Sequence, residues 1–348
     1  MKTVFVVDDS DTNLSMAKNT LENHYRVLTM PSAEKLFKLL EKITPDLILL
    51  DIEMPGMTGF DALRRLKADA AHTPPPPVIF LTSVTDSALE AQGFELGAVD
   101  FVTKPFSTPV LKNRIKTHLD IDDLIRERTR QLEQLRNGLV FILADVVESR
   151  DKATGGHLER TSEYVKILAG AMMERGVYAG EMRGLSLDLL ASAARLHDVG
   201  KIAIPDSVLN KLGALTLEEF ELVKTHTVAG ERIIDKVLAR TGDLTFLRNA
   251  KLFASCHHER WDGSGYPRGL KEREIPIQGR ILAVADLYDA FLSDRPYQKV
   301  FTEEEVVGII RDNAGKMFDP LIVDVFLEVR EQFGTVRRSY TGDDPLVP

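Results

Sequence analysis

The sequence predicts two folds on one chain. Residues 1–120 read as an α/β domain with a doubly wound, parallel five-stranded sheet of flavodoxin-like type, and residues 148–335 as an all-α domain. A connecting helix at 121–147 joins them, and residues 336–348 read as a polar tail, disordered from about Arg337. Three observations predict this. Short apolar runs alternate with helical stretches up to about residue 120, the pattern of a parallel sheet covered on both faces. From Ile121 the apolar residues fall at alternating spacings of three and four. After Glu148 strand signals largely vanish. At 348 residues the chain also exceeds one ordinary core.

The elements follow in order. Val4–Val7 is a buried strand and Leu14–Leu21 has helical spacing; Tyr25–Thr29 and Ala33–Leu40 repeat the pair. Leu47–Leu50 is a third strand and Phe60–Leu66 a third helix, with two more strands at Val78–Leu81 and Val99–Val102. The proline run Pro74–Pro77 cannot be helical and marks an extended connection. Ile121, Ile125, Leu132, Leu135, Leu139, Ile142 and Val146 form an a/d-type seam, interrupted by Arg128 and flanked by charge. A dimeric coiled coil and a helix packed on its own domain both fit that seam. Thr216 with Glu219, and Thr302 with Glu305, have capping-box spacing.

Composition narrows the class. The single cysteine, Cys256, excludes an internal disulfide framework and fits a reducing cytoplasm. No apolar run approaches the length of a membrane span, and Asp8-Asp9 cuts off the first one. A net charge of −9 disfavours DNA and anionic membranes as partners.

Two clusters carry chemistry. Asp8 and Asp9 end the first strand and Asp51 the third, so three carboxylates crowd one sheet edge and call for a hard cation such as Mg²⁺. Thr82 ends the fourth strand and Lys104 follows the fifth, a hydroxyl and an ammonium for a phosphoryl group. In the second half, five of the eight histidines fall between His157 and His258, beside acidic residues. Neutral imidazoles and carboxylates suit iron, manganese, nickel or zinc. His197 and Asp198 can reach one centre only from a helix end or irregular turn, and Gly200 supplies one. Asp198 would bridge two ions, with His157, His197 and Asp286 serving one and His226, His257 and His258 the other. Such a pair activates water and clamps a phosphodiester. Lys201 could neutralise a phosphate oxygen. Asp289 could orient a ligand or make a packing contact, and Arg260, Arg268, Arg295 and Lys299 could add positive potential.

The first cluster, in the words Val7-Asp8-Asp9, Asp51-Ile52-Glu53-Met54-Pro55-Gly56, Leu81-Thr82-Ser83 and Lys104-Pro105-Phe106, resembles the response-regulator receiver domain. The resemblance implies Asp51 as phosphoacceptor, Mg²⁺ on Asp9, Asp51 and the Glu53 carbonyl with Asp8 assisting, and phosphoryl contacts from Thr82 and Lys104. It also implies Phe101 as switch aromatic, a cis Lys104–Pro105 bond and a sensor histidine kinase as partner.

The second half, with Thr154-Gly155-Gly156-His157, His197-Asp198-Val199-Gly200-Lys201, His226, the run His257–Pro267, Asp286-Leu287-Tyr288-Asp289 and Ser293–Tyr297, resembles the HD-GYP branch of the HD metal-dependent phosphohydrolases. That resemblance implies hydrolysis of cyclic di-GMP to pGpG and onward to GMP, with Asp198 and Lys201 catalytic and Lys201, Tyr266, Asp289, Arg295 and Lys299 at the substrate. Three positions depart from the family pattern. Ala153 stands where some members place a third-metal Glu, which favours two ions; Gln298 intervenes before Lys299; Leu212 replaces a common proline. A cyclic-dinucleotide sensor, a protein-interaction module and a nucleotidase with another substrate remain as alternatives.

Overall fold

The computed structural model describes residues 1–69, 75–83, 87–150, 156–211, 213–242, 244–293 and 301–341. Ala153, Leu212, Pro74, Arg295, Gln298 and Lys299 lie outside these residues. The chain divides into two compact units, Met1–Glu133 and Gln134–Pro348.

In the first unit five strands, β1 (Thr3–Val7), β2 (Arg26–Met30), β3 (Leu47–Asp51), β4 (Val78–Thr82) and β5 (Asp100–Thr103), pair in parallel in the order β2-β1-β3-β4-β5. Because side chains alternate across a strand, the continuous apolar runs feed two cores. Phe5, Val7, Ile48, Leu50 and Phe80 enter one; Val4, Val6, Leu47, Leu49, Ile79 and Leu81 enter the other. Helices α1 (Asp11–Leu21), α2 (Ala33–Leu40), α3 (Gly59–Asp69) and α4 (Ser87–Glu95) alternate with the strands. Ser10 and Ser32 cap α1 and α2 through their hydroxyls. Helix α4 escapes sequence inspection because its apolar and polar residues are scarcely segregated by face.

Helix α5 runs from Thr108 to Glu148 and so begins well before the predicted start at residue 121. Leu111, Ile115 and Leu119 bury against the sheet as the last helix of the α/β layer, and no glycine or proline then stops the helix. Its later part carries two apolar stripes. Val140, Ala144 and Val147 are buried, whereas all seven a/d-seam residues are 47–67% exposed. The seam therefore does not pack on its own domain.

The second unit is helical: α6 (His157–Glu174), α7 (Ala179–Met182), α8 (Leu187–Ala194), α9 (Asp206–Leu209), α10 (Leu217–Lys224), α11 (His226–Thr241), α12 (Thr245–Cys256), α13 (Ile277–Leu292), α14 (Glu303–Asp312) and α15 (Pro320–Thr341). Both predicted capping boxes form, at α10 and α14. The core centres on Tyr164, Tyr288, Phe326 and Phe333, where the Tyr164 and Phe333 rings stack 4.4 Å apart. One expectation is corrected here. The chain does not become irregular at Arg337, because α15 continues to Thr341: Phe333 and Val336 sit on its apolar face, and Arg337 donates to the Leu292 carbonyl.

Candidate metal centre and phosphoacceptor site

At the carboxyl edge of the sheet, Asp8, Asp9 and Asp51 bring carboxylate oxygens within 4.8 Å of one another. Lys104 Nζ lies 2.7 Å from Asp8 Oδ2 and 2.7 Å from Asp51 Oδ2. Its backbone N–H donates to the Thr82 carbonyl at 2.7 Å, and the Lys104–Pro105 bond is cis. Burial lifts the Asp51 carboxyl above its usual range, against the pull of Lys104. Sequence reasoning missed Asn13, whose Nδ2 donates to Asp8 Oδ1 at 2.9 Å. Its signal is a polar residue in the first turn of α1, directly after the Asp pair. Phe101 is nearly buried between Phe80 and Phe94, at ring distances of 5.4 and 4.9 Å.

The second site is built from segments far apart in sequence. Helix α8 ends at Ala194, the chain turns through His197 and Asp198, and a short 3₁₀ helix follows at Val199–Ala203. That break lets neighbouring His197 and Asp198 face one centre. His157 opens α6, His226 opens α11, His257 caps the end of α12, and Asp286 lies within α13.

Each of four imidazoles is aimed by its far nitrogen. His197 Nδ1 pairs with the Ala194 carbonyl at 2.9 Å, His226 Nδ1 with Val223 at 2.6 Å and His257 Nδ1 with Phe253 at 2.8 Å. His157 Nδ1 meets Asp289 Oδ2 at 2.8 Å. A proton on each Nδ1 leaves every Nε2 as a lone-pair donor toward the centre, the arrangement by which acceptors behind a ring orient a metal ligand.

Two clusters result: His157, His197 and Asp286 in one, His226, His257 and His258 in the other. Asp198 stands between them. Its Oδ2 is 3.4 Å from His197 Nε2, and its Oδ1 is 3.4 Å from His226 Nε2 and 3.7 Å from His257 Nε2. His197 Nε2 and Asp198 Oδ1 are buried and make no hydrogen bond among the described residues. Orphaned lone pairs converging this way are costly without an occupant, and their N/O chemistry fits divalent transition ions.

The charges respond accordingly. Burial opposes the charge on Asp198, but the Lys201 ammonium, 2.8 Å away, and the His197 ring hold its carboxyl well below the usual range. Burial disfavours a charged His197 ring as well, yet in the metal-free chain Asp198 beside it outweighs this and lifts it to about 9. His197 Nε2 would therefore give up a proton to become a lone-pair donor when an ion binds. His257, buried among like rings, falls to about 3.

Arg150, just past α5, secures the Lys201 segment. Its guanidinium donates to the Ile202 and Ile204 carbonyls at 3.0 Å each and pairs with Asp206 at 2.7 Å. A cavity of about 360 Å³ opens over the centre, lined by Glu148, Arg195, Asp198, Lys201, Arg260 and Tyr266 among others. Tyr266 precedes a cis proline and lays its ring 4.7 Å from that of His258.

The structure places three further residues, and Asp289 takes the ligand-orienting part that the sequence offered for it rather than the substrate contact. Asp289 does not reach the cavity: it is fully buried behind His157, bound to Arg160 through Nε at 2.6 Å and the guanidinium tip at 2.9 Å. The paired spacing His157/Arg160 and Asp286/Asp289 on two helices was the available signal. Glu259 faces its own loop, accepting the Arg268 and Leu270 N–H groups at 2.8 and 3.0 Å. Arg268 pairs with Glu231 rather than with the cavity.

Burial would lift the Asp289 carboxyl, but His157 and Arg160 hold it at about 2. Its contribution to stability is therefore complete above the unfolded value of about 3.9 and is lost as pH falls toward about 2. Asp289→Asn is expected to lower metal affinity or turnover about 10- to 100-fold, read by chelator competition. Metal-free, it should also lose urea resistance less steeply than wild type between those pH values.

A family model for the HD domain matches residues 142–322, just over half of the chain. The chain belongs to the HD-domain family. In front of its HD domain, residues 4–116 match the response regulator receiver domain. Over 99% of its length the chain is 38% identical to a "Probable cyclic di-GMP phosphodiesterase" of Vibrio cholerae serotype O1, covering 82% of that protein. It is 35% identical to the "Cyclic di-GMP phosphodiesterase response regulator RpfG" of Xanthomonas campestris pv. campestris, covering 94% of this chain and 88% of the relative. A third relative, the "3'3'-cGAMP-specific phosphodiesterase 2" of Vibrio cholerae, is 37% identical over 60% of this chain and 37% of its own length. Among the described residues no helix is long and apolar enough to cross a membrane.

Proposed function

We propose that the protein is a two-component response regulator whose HD domain hydrolyses cyclic di-GMP to linear pGpG, and pGpG onward to GMP. The carrying observation is Asp198, whose two carboxylate oxygens face two separate sets of imidazoles. We assign residues 1–120 to the receiver, 121–147 to the connecting helix, 148–335 to the HD domain and 336–348 to a C-terminal tail, into which α15 continues as far as Thr341.

His157, His197 and Asp286 would hold one divalent ion, and His226, His257 and His258 the other, with Asp198 shared; iron, manganese, nickel and zinc all suit that donor set. Ions bound there supply Lewis acidity toward a phosphoryl oxygen and toward water. The chain's own residues do the rest. The carbonyls behind the imidazoles fix ring orientation, and Lys201 places an ammonium where phosphate negative charge collects. Tyr266 and the apolar side chains Leu287 and Phe291 wall the cavity around the diester. Water adds to phosphorus, the P–O3′ bond breaks, and the proton passes to the departing O3′. The resemblance adds Arg295 and Lys299, outside the described residues, as further phosphate contacts.

In the receiver, Asp51 would accept a phosphoryl group from a sensor histidine kinase, with Mg²⁺ held by Asp9, Asp51 and the Glu53 carbonyl. Lys104 and Thr82 would contact the phosphoryl oxygens, and Phe101 would report the change. We assign the exposed seam of α5 to a homodimer with a second copy, because a row of leucines and isoleucines at a/d spacing loses favourable burial if left in water. Sedimentation velocity should give the dimer mass, and Leu135→Lys with Leu139→Lys the monomer mass; a wild-type monomer contradicts this.

Product analysis tests the reading. The purified chain loaded with each candidate metal should convert cyclic di-GMP to pGpG. Tight binding without product under every metal would favour a sensor instead.

A further inference from the structure

Glu148 is the last residue of α5, and it lines the cavity together with Lys201, Asp198 and Asp286. Its Oε1 is buried and accepts no hydrogen bond from any described residue. A buried carboxylate oxygen without a donor is costly, so a donor is to be expected from whatever fills the cavity. The other carboxylates lining the cavity are accounted for. Asp198 and Asp286 stand among the imidazoles, and Glu259 accepts two backbone N–H groups of its own loop.

Charge narrows the partner further. The proposed substrate carries two anionic phosphodiesters, and a carboxylate facing either of them is repulsive. Glu148 can favour binding only where the ligand presents donors, the ribose hydroxyls or the base N–H groups, and only a base edge offers two of them side by side. Guanine offers N1–H and N2–H side by side along one edge, a match for the two oxygens of a carboxylate. Adenine presents the N1 lone pair at the corresponding place, which a carboxylate repels.

We propose that Glu148 recognises the N1–H/N2–H edge of a guanine in the bound cyclic dinucleotide and so sets the preference for guanine over adenine. This rests on the cyclic-dinucleotide reading and adds to it a residue that selects the base. Base choice is a live distinction among the relatives, since one of them is named for a dinucleotide with one guanine and one adenine.

The experiment compares Glu148→Gln and Glu148→Ala with wild type in the full, metal-loaded chain. Three substrates are used: cyclic di-GMP, cyclic di-AMP and bis(4-nitrophenyl) phosphate, a diester without a base. Each variant should lower the ratio of kcat/KM for cyclic di-GMP over cyclic di-AMP by at least about tenfold, the value of one well-formed base contact. The loss should appear mainly in KM, and should be at least about tenfold smaller on the base-free diester. Glu148→Gln keeps the side-chain volume and gives the reading if Glu148→Ala folds poorly. Equal losses on all three substrates, or a fall in bound metal per chain, would overturn the proposal in favour of a role at the metal centre. An unchanged base ratio in an active enzyme would overturn it alone. A wild type that cleaves only the base-free diester would overturn the cyclic-dinucleotide reading, and this role with it.

Discussion

Asp198→Asn is expected to lower kcat/KM toward cyclic di-GMP by at least about a thousandfold, equivalent to about 4 kcal/mol of transition-state stabilisation. The substitution keeps the shape of the side chain but removes its charge and one of its two acceptor oxygens. Those oxygens lie between imidazoles of two clusters, and Lys201 pairs with one of them. Losing the charge and one of those oxygens should weaken both ion sites together and loosen the Lys201 ammonium from its anchor. Because Asp198 is only partly buried, and α8 and α11 are packed by other residues, the thermal midpoint of the metal-free variant should stay within a few degrees of wild type. Steady-state kinetics with metal analysis checks both halves. Full activity in this variant would remove Asp198 from the centre.

Gly200→Ala is expected to damage the same site through the backbone. A Cβ on Gly200 would stand 1.9 Å from the His226 carbonyl oxygen and 2.4 Å from the Gly230 nitrogen. Both atoms belong to the α11 backbone, so neither can swing aside. The 3₁₀ segment must then move away from α11, carrying Lys201 and Asp198 away from His226. Overpacking of this kind costs about 1–3 kcal/mol or more, and a shift near 1 Å at a reacting centre costs about a hundredfold in rate. Chemical denaturation should show the stability loss, and chelator competition should show weakened metal retention. A variant with wild-type values in both would mean that the segment is not seated as the structure has it.

Much of this was legible in the sequence because periodicity and spacing speak directly to backbone geometry. Continuous runs such as Leu47–Leu50, short and bounded by Pro45-Asp46, read as strands buried on both faces, and their carboxyl ends gather Asp8, Asp51 and Lys104 at one edge. The break after α8 was legible from Gly200 and from the adjacency of His197 and Asp198. Supporting contacts were not, because they depend on which side chains meet across helices. Asp289 could be read as a substrate ligand until its burial against Arg160 placed it behind His157. The start of α5 was obscured because its receiver part and its seam share one uninterrupted helix. Glu148 has no spacing signature; only its orphaned oxygen in the cavity singles it out.

The most direct measurement is the metal content of the freshly purified full chain, by elemental analysis before and after incubation with iron, manganese, nickel and zinc. Two divalent ions per chain in the wild type, and fewer than one in Asp198→Asn, is the predicted result. A folded wild-type chain that neither carries nor takes up any of these ions would contradict the account at its centre.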